Sequence, residues 1–183
     1  MTDEVLDHES RRRLLEVARR AIGACLAGQP LPKPVDLPGV TARGGAFVTL
    51  KRRGSHELRA CVGYLEAGLP AVETVSRAAA GACRDERFAP MGPAELAELR
   101  IEISLLGPLR PIAPEDVQVG VHGLLLRSRG RSGLLLPQVP VEHGWDRQTF
   151  LDHTCLKAGL PPGSWRAPKA ELLGFTAVVF GEE

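Results

Sequence analysis

Residues 58–65, LRACVGYL, form the segment on which the expected fold depends. A strand directs alternate side chains to opposite faces, which places Arg59, Cys61 and Gly63 together on one of them. Residues 46–51 have the same strand character. A short polar and glycine-containing link joins the two segments, so they are predicted to form a β-hairpin.

Three further segments extend this pattern along the chain. Residues 99–107, LRIEISLLG, alternate apolar and polar side chains as a half-buried strand does. Residues 123–139, GLLLRSRGRSGLLLPQV, predict a second hairpin with its turn near Arg129 and Gly130. Residues 173–180, LGFTAVVF, predict a single last strand. Hairpins dominate, so the sequence favours an α+β fold with antiparallel sheets and flanking helices.

Three helices are predicted beside these strands. The first covers residues 9–28, with Ser10 as its cap and Cys25 as a small core residue. The second follows Pro70, which suits a first helical turn. The third begins after Asp146, a favoured capping residue.

Length and composition limit the class of protein. The 183 residues fit a single domain, in which residues 1–40 supply a helix and a proline-rich loop and residues 41–183 carry the motifs. The net charge is +1 and only 4% of residues are aromatic, which argues against nucleic-acid binding. The chain shows neither a signal peptide nor a membrane-spanning run, so we expect no membrane contact and a cytoplasmic protein with reduced cysteines.

Cys61 is the first candidate for chemistry. A cation such as Arg59 near a thiol lowers the thiol pKa and raises its thiolate fraction. Gly63 lacks a side chain, so a ligand could approach the backbone there. The alternative is a structural cysteine in a strand, with Arg59 extending to solvent. The spacing of these residues leaves both interpretations open.

A second group of polar residues follows the second hairpin. Gln138 is predicted at a strand end, where polar groups often converge on ligands, and Glu142 adds a carboxylate. On the third helix, His153 and Cys155 are two residues apart and point in different directions. We therefore expect Cys155 in the core and His153 near Asp146, free to serve a site. The histidines lack helical metal spacing, and neither a metal nor a cofactor is predicted.

Several motifs together resemble one known family. LRACVGYL, RDERFAP, LRIEISLLG, HGWD and CLKAGLPPGSW are similar, in order and spacing, to motifs of the AMMECR domain family, whose bacterial and archaeal members are called AmmeMemoRadiSam system protein A. Arg59, Cys61 and Gly63 fall on the family hallmark. The sequence departs from it at Ala60, where glycine is usual, and the backbone is less free there.

The resemblance implies two unequal lobes around a cleft, and genomic companions that are a Memo-like protein and a radical SAM enzyme. Two functions remain open. The first is a thiol-dependent enzyme or enzyme component with an unknown small-molecule or protein substrate. In it Cys61 and His153 would be catalytic, and Arg59, Gly63, Gln138 and Glu142 would bind substrate. The alternative is a non-catalytic binding or adaptor module for a Memo-like or radical SAM partner.

Overall fold

A computed structural model describes residues 6–33, 37, 40, 44–65 and 68–183 of the chain. Four α-helices and eight β-strands lie within these ranges. The helices are α1 (His8–Leu26), α2 (Ala71–Ala82), α3 (Gln138–Glu142) and α4 (Arg147–Lys157). The strands are β1 (Ala46–Arg52), β2 (Leu58–Tyr64), β3 (Leu99–Leu106), β4 (Arg110–Pro111), β5 (Gly123–Ser128), β6 (Arg131–Leu135), β7 (Glu171–Phe175) and β8 (Ala177–Gly181). The predicted α+β class, with antiparallel sheets and flanking helices, is confirmed.

The first sheet has the strand order β2-β1-β3-β8. β1 runs antiparallel to both β2 and β3, which confirms the first predicted hairpin. Alternate β3 residues such as Ile101 and Ile103 are fully buried, as their periodicity predicts. Ser104, one of the polar positions that the alternation directs outward, is buried too. Helices α1 and α2 pack together, and α2 covers β1 and β2.

The second sheet has the order β4-β7-β5-β6. Its β5–β6 hairpin turns at Arg129 and Gly130, whose φ angles of 52° and 72° are both positive. This left-handed pair of residues matches the twist of the flanking strands. Helix α4 packs on β5 and β6 and buries Phe150 with Leu124 and Leu126.

The predicted single strand over residues 173–180 is wrong. The segment breaks at Thr176 into β7, which pairs with β4 and β5, and β8, which is the neighbour of β3 in the other sheet. The Thr176 carbonyl accepts a hydrogen bond from the Gly107 backbone N–H at 2.8 Å. The residue pattern gives no signal of the break, because both short strands are rich in apolar residues.

The chain divides into two compact units of unequal length. The first contains residues 1–105 and 178–183, and the second contains residues 106–177. The proline-rich loop was predicted between α1 and β1, and its residues 34–36 and 38–39 lie outside the described residues. The single-domain interpretation stays a prediction.

The helix ends correct two smaller expectations. Asp7, not Ser10, caps α1, because the Asp7 carboxylate accepts the Ser10 backbone N–H at 2.7 Å. Cys25 is only half-buried near the end of α1 rather than enclosed in the core. The predicted cap of α4 is confirmed, since the Asp146 carboxylate accepts the Thr149 N–H at 2.8 Å. In the described part of the chain, none of the helices is both long and apolar enough to cross a membrane.

Candidate functional site

Cys61 lies on β2, the edge strand of the first sheet. The strand register places it opposite Thr49, which in turn lies opposite Glu102 on β3. The Thr49 hydroxyl donates a hydrogen bond to Cys61 Sγ, with the two atoms 3.3 Å apart. The thiol is half-buried. It is therefore held in a defined position and still reachable from solvent.

A loop after α2 covers the free edge of β2 at this residue. The Cys61 backbone N–H donates to Asp85 Oδ2 at 3.1 Å, and the Cys61 carbonyl accepts from Arg87 Nη2 at 2.6 Å. Edge strands expose unpaired backbone groups, and these two contacts satisfy both such groups of Cys61. The loop belongs to the RDERFAP motif.

Asp85 and Arg87 form a close ion pair beside the thiol. Two oxygen–nitrogen contacts join them, at 2.7 and 2.8 Å. Hydrogen bonds from Arg87 are the main reason that the pKa of Asp85 falls to about 2. The pKa of Arg87 is raised, chiefly by Asp85 and in smaller part by the nearby Cys61. A cation therefore does lie near Cys61, but it belongs to Arg87.

The Arg59 side chain extends neither towards the Cys61 sulfur nor to solvent, the two directions that the sequence left open. It lies at a β-bulge, since the register shifts between Leu50 and Lys51. Its buried guanidinium donates to both carboxylate oxygens of Glu95, at 2.9 and 3.2 Å, and to the Ala89 carbonyl at 2.9 Å. The Arg59 side chain thus anchors β2 to the segment after α2, and its hydrogen bonds do not go to the sulfur.

Gly63 is covered by an aromatic ring. A Cβ atom at this position would come within 2.2 Å of the Phe47 ring, its cross-strand partner. The missing side chain therefore provides space for Phe47 rather than an open backbone. Ala60, the departure from the family hallmark, is fully buried in the core and does not have a positive φ. An alanine is therefore tolerated there without backbone strain.

The second unit contains the other predicted site residues. Gln138 and Glu142 lie on the short helix α3, where a strand end and loop were expected. The Glu142 side chain is exposed. Gln138 Oε1 is buried and is the one such side-chain atom in the described residues without a hydrogen-bond partner. A buried polar atom without a partner is costly, so it marks Gln138 as a residue to test.

His153 is part of a stack of three rings. Its imidazole lies against Trp145 with ring centroids 3.8 Å apart, and Trp145 stacks on His143 at 4.8 Å. We call His143, Trp145 and His153 the ring stack. His153 was expected near Asp146 and free, but one face of its ring is occupied. Cys155 is fully buried as predicted, and burial raises the pKa of its thiol.

The structure thus sorts the predicted residues into two groups. Arg59, Cys61 and Gly63 share β2 in the first unit, while Gln138, Glu142 and His153 belong to the second unit. Sequence reasoning missed Thr49, Asp85 and Arg87. The hairpin register would have indicated Thr49, and the RDERFAP motif contains the other two. Within the described ranges, no three His, Cys, Asp or Glu side chains are grouped to hold a metal ion.

Comparison with known proteins places this geometry in a family. The chain is 43% identical to a protein of Methanopyrus kandleri over 190 residues, which cover 98% of this chain and 92% of that protein. It is 41% identical to a protein of Methanothermobacter thermautotrophicus, with 97% of each chain covered. The crystal structure of an uncharacterised protein from Pyrococcus horikoshii matches it with a TM-score of 0.90 and 38% identity, covering 97% of this chain and 94% of that one.

The match is also visible at the level of the family. The AMMECR1 family description matches residues 15–180, which include both sheets and every candidate site residue named above. This agrees with the resemblance that the sequence motifs indicate. The chain belongs to the AMMECR1 family.

Proposed function

We propose that the chain is a thiol-dependent enzyme or enzyme component in which Cys61 is the reacting group. The observation that carries the proposal is a half-buried thiol whose sulfur accepts from the Thr49 hydroxyl, on a residue whose backbone carbonyl accepts from the Arg87 guanidinium. Hydrogen bonding to the charged form and a nearby cation both favour a thiolate. In the reaction, Cys61 would lose its proton to solvent and its sulfur would add to an electrophilic carbon that is double-bonded to a heteroatom in the substrate. The π electron pair of that double bond would move to the heteroatom, which would take up a proton from solvent.

The setting of the proposal is an AmmeMemoRadiSam-type system, in which this chain would be the protein A component. A Memo-like protein and a radical SAM enzyme would be its partners, and the reaction would take place in the cytoplasm. The catalytic role of His153 and the substrate-binding roles of Gln138 and Glu142 stay predictions. Arg59 and Gly63 support β2 through Glu95 and Phe47, so their contribution is to position Cys61.

Competitive alkylation tests this proposal. Iodoacetamide at neutral pH should label Cys61 several-fold faster than Cys25, Cys83 and Cys155, because thiolate is the reacting species. Arg87→Gln should remove most of this advantage, since it removes the cation and leaves the Asp85 charge beside the thiol. Arg84→Gln is the matched control, because Arg84 is exposed on the same loop and has no contact with Cys61 among those described. Mass spectrometry of the labelled peptides gives each rate.

One observation favours a second function, a non-catalytic binding module. Both backbone groups of Cys61 and the Nε and Nη2 atoms of Arg59 are engaged in contacts that stabilise the edge of the sheet. If this is their only purpose, Cys61 should react slowly in the folded protein, at a rate that Arg87→Gln leaves unchanged. That result would overturn the thiol-dependent enzyme and favour the binding module.

A further inference from the structure

The interface between the packed helices α1 and α2, here called the seam, contains two thiols that the proposed function does not use, those of Cys25 and Cys83. Cys25 Sγ, on α1, lies 3.5 Å from the Ala80 carbonyl of α2. Cys83 Sγ, just after α2, lies 3.6 Å from the Ala79 carbonyl and 3.8 Å from the Ile22 carbonyl of α1. Each thiol thus reaches across to the helix of the other. The contacts place both sulfurs in the same part of the seam.

The electrostatics of Cys83 agree with this placement. Burial, and in smaller part the neighbouring Cys25 thiol, raise the pKa of the Cys83 thiol to about 12. A thiol with so high a pKa is a poor nucleophile at neutral pH. It is therefore badly suited to covalent catalysis. A thiophilic metal ion can nevertheless displace its proton, because the metal–sulfur bond replaces the sulfur–hydrogen bond.

A cavity of about 400 Å³ gives access to the pair. Both Cys25 and Cys83 line it, and both are half-buried. Arg84 lines the same cavity and brings a positive charge to it. The cavity therefore combines two sulfur ligands, a compensating cation and room for an entering ion.

We propose that Cys25 and Cys83 form a two-thiolate site for a soft monovalent cation of the copper(I) class. Soft thiolate ligands select soft ions, and such an ion is satisfied by two sulfurs. Zinc usually requires four ligands, which the described residues do not supply here. Binding converts two thiols and one cation into an anionic bis-thiolate complex and releases two protons. Arg84 would offset the single negative charge of that complex.

Silver(I) is a suitable probe, because it has the charge and softness of copper(I) and needs no reductant. Two double variants of the full chain separate the thiols. Cys61→Ser with Cys155→Ser leaves only the proposed pair, whereas Cys25→Ser with Cys83→Ser leaves only the other two thiols. We expect the first variant to bind one ion per chain with release of protons. The second should bind roughly 100-fold more weakly.

Single variants then test whether both sulfurs are needed. Cys25→Ser and Cys83→Ser should each weaken silver binding by a similar factor, measured by competition against a thiol chelator in chloride-free buffer. Equal binding by the two double variants, or unchanged binding after either single substitution, would overturn the proposal. Circular dichroism of each variant without metal confirms folding, and the corresponding alanine variants replace any serine variant that unfolds.

Discussion

The β2 region and the ring-stack region differ in how their polar groups are hydrogen-bonded. Around β2, the Arg59 guanidinium, the Asp85 carboxylate and both backbone groups of Cys61 have hydrogen-bond partners. Near the ring stack, Gln138 Oε1 is buried without one, and His153 makes its described contact through a ring face. The difference suggests that the first region is a rigid support for one thiol. In the second region, one buried amide oxygen has no partner among the described residues, which makes Gln138 the residue to test for ligand binding.

The strongest test of that rigidity removes the partner of Arg59. Glu95→Ala leaves a buried guanidinium, 8% exposed, without its carboxylate. Breaking a buried pair in this way destabilises a protein by about 3–5 kcal/mol. Glu98→Ala is the matched control, because Glu98 is exposed on the same short 3-10 helix, Pro93–Glu98. Urea unfolding gives the free energy of unfolding of both variants. If Glu95→Ala lowers it no more than Glu98→Ala does, the Arg59–Glu95 pair does not make the β2 region rigid.

Lowering the pH should reduce the stability of the β2 region, because the Asp85 carboxylate becomes protonated. Because the pKa of Asp85 in the folded protein is about 2, below its value in the unfolded chain, its stabilisation is complete above about pH 4. It is lost as the pH falls towards 2. Arg87 is more than half exposed, so solvent screening limits the effect to about 1 kcal/mol.

The matched variant for this effect is Asp85→Asn, which keeps the shape and removes the charge. The difference in unfolding free energy between the natural protein and Asp85→Asn should shrink as the pH is lowered from about 5 to about 2. Asp116→Asn, at an exposed carboxylate of the second unit, is the control for removing one negative charge. A difference that stays constant with pH would show that the Asp85 charge does not support β2.

The smallest expected effect concerns the ring stack. His153→Ala removes the closer of the two stacking contacts and should cost about 1 kcal/mol of stability. His143→Ala should cost less, because His143 is exposed and its ring lies 4.8 Å from Trp145. Thermal melts of the two variants give the order. If His143→Ala lowered the stability more than His153→Ala, His143 would make the larger contribution to the stability of the ring stack.

The sequence predicts the local parts of this fold well, for a physical reason. Strand alternation and the Arg129–Gly130 turn depend on neighbouring residues; the turn is confirmed, and the alternation holds over residues 99–103. The break at Thr176 was missed, because two short apolar strands in succession have the pattern of one longer strand. Local patterns do not record which sheet a strand joins.

The candidate site follows the same rule. Cys61 and its strand face were identifiable, but the partner of Arg59 is Glu95, 36 residues further along the chain. The Arg87 contact with Cys61 likewise spans 26 residues. The stacking of His153 on Trp145 depends on how the chain turns between α3 and α4. Pairings of this kind are set by tertiary structure, which spacing alone does not reveal.

The break at Thr176 has a consequence for synthesis of the protein on the ribosome. β8 completes the first sheet beside β3, yet residues 107–176 are made between them. At a synthesis rate of ~5–20 residues per second, the outer edge of β3 stays unpaired for roughly 4–14 s before β8 has been made. An unpaired strand edge is a template for aggregation during that interval. We therefore expect the nascent chain to depend on chaperones until its last strand emerges, however stable the finished fold is.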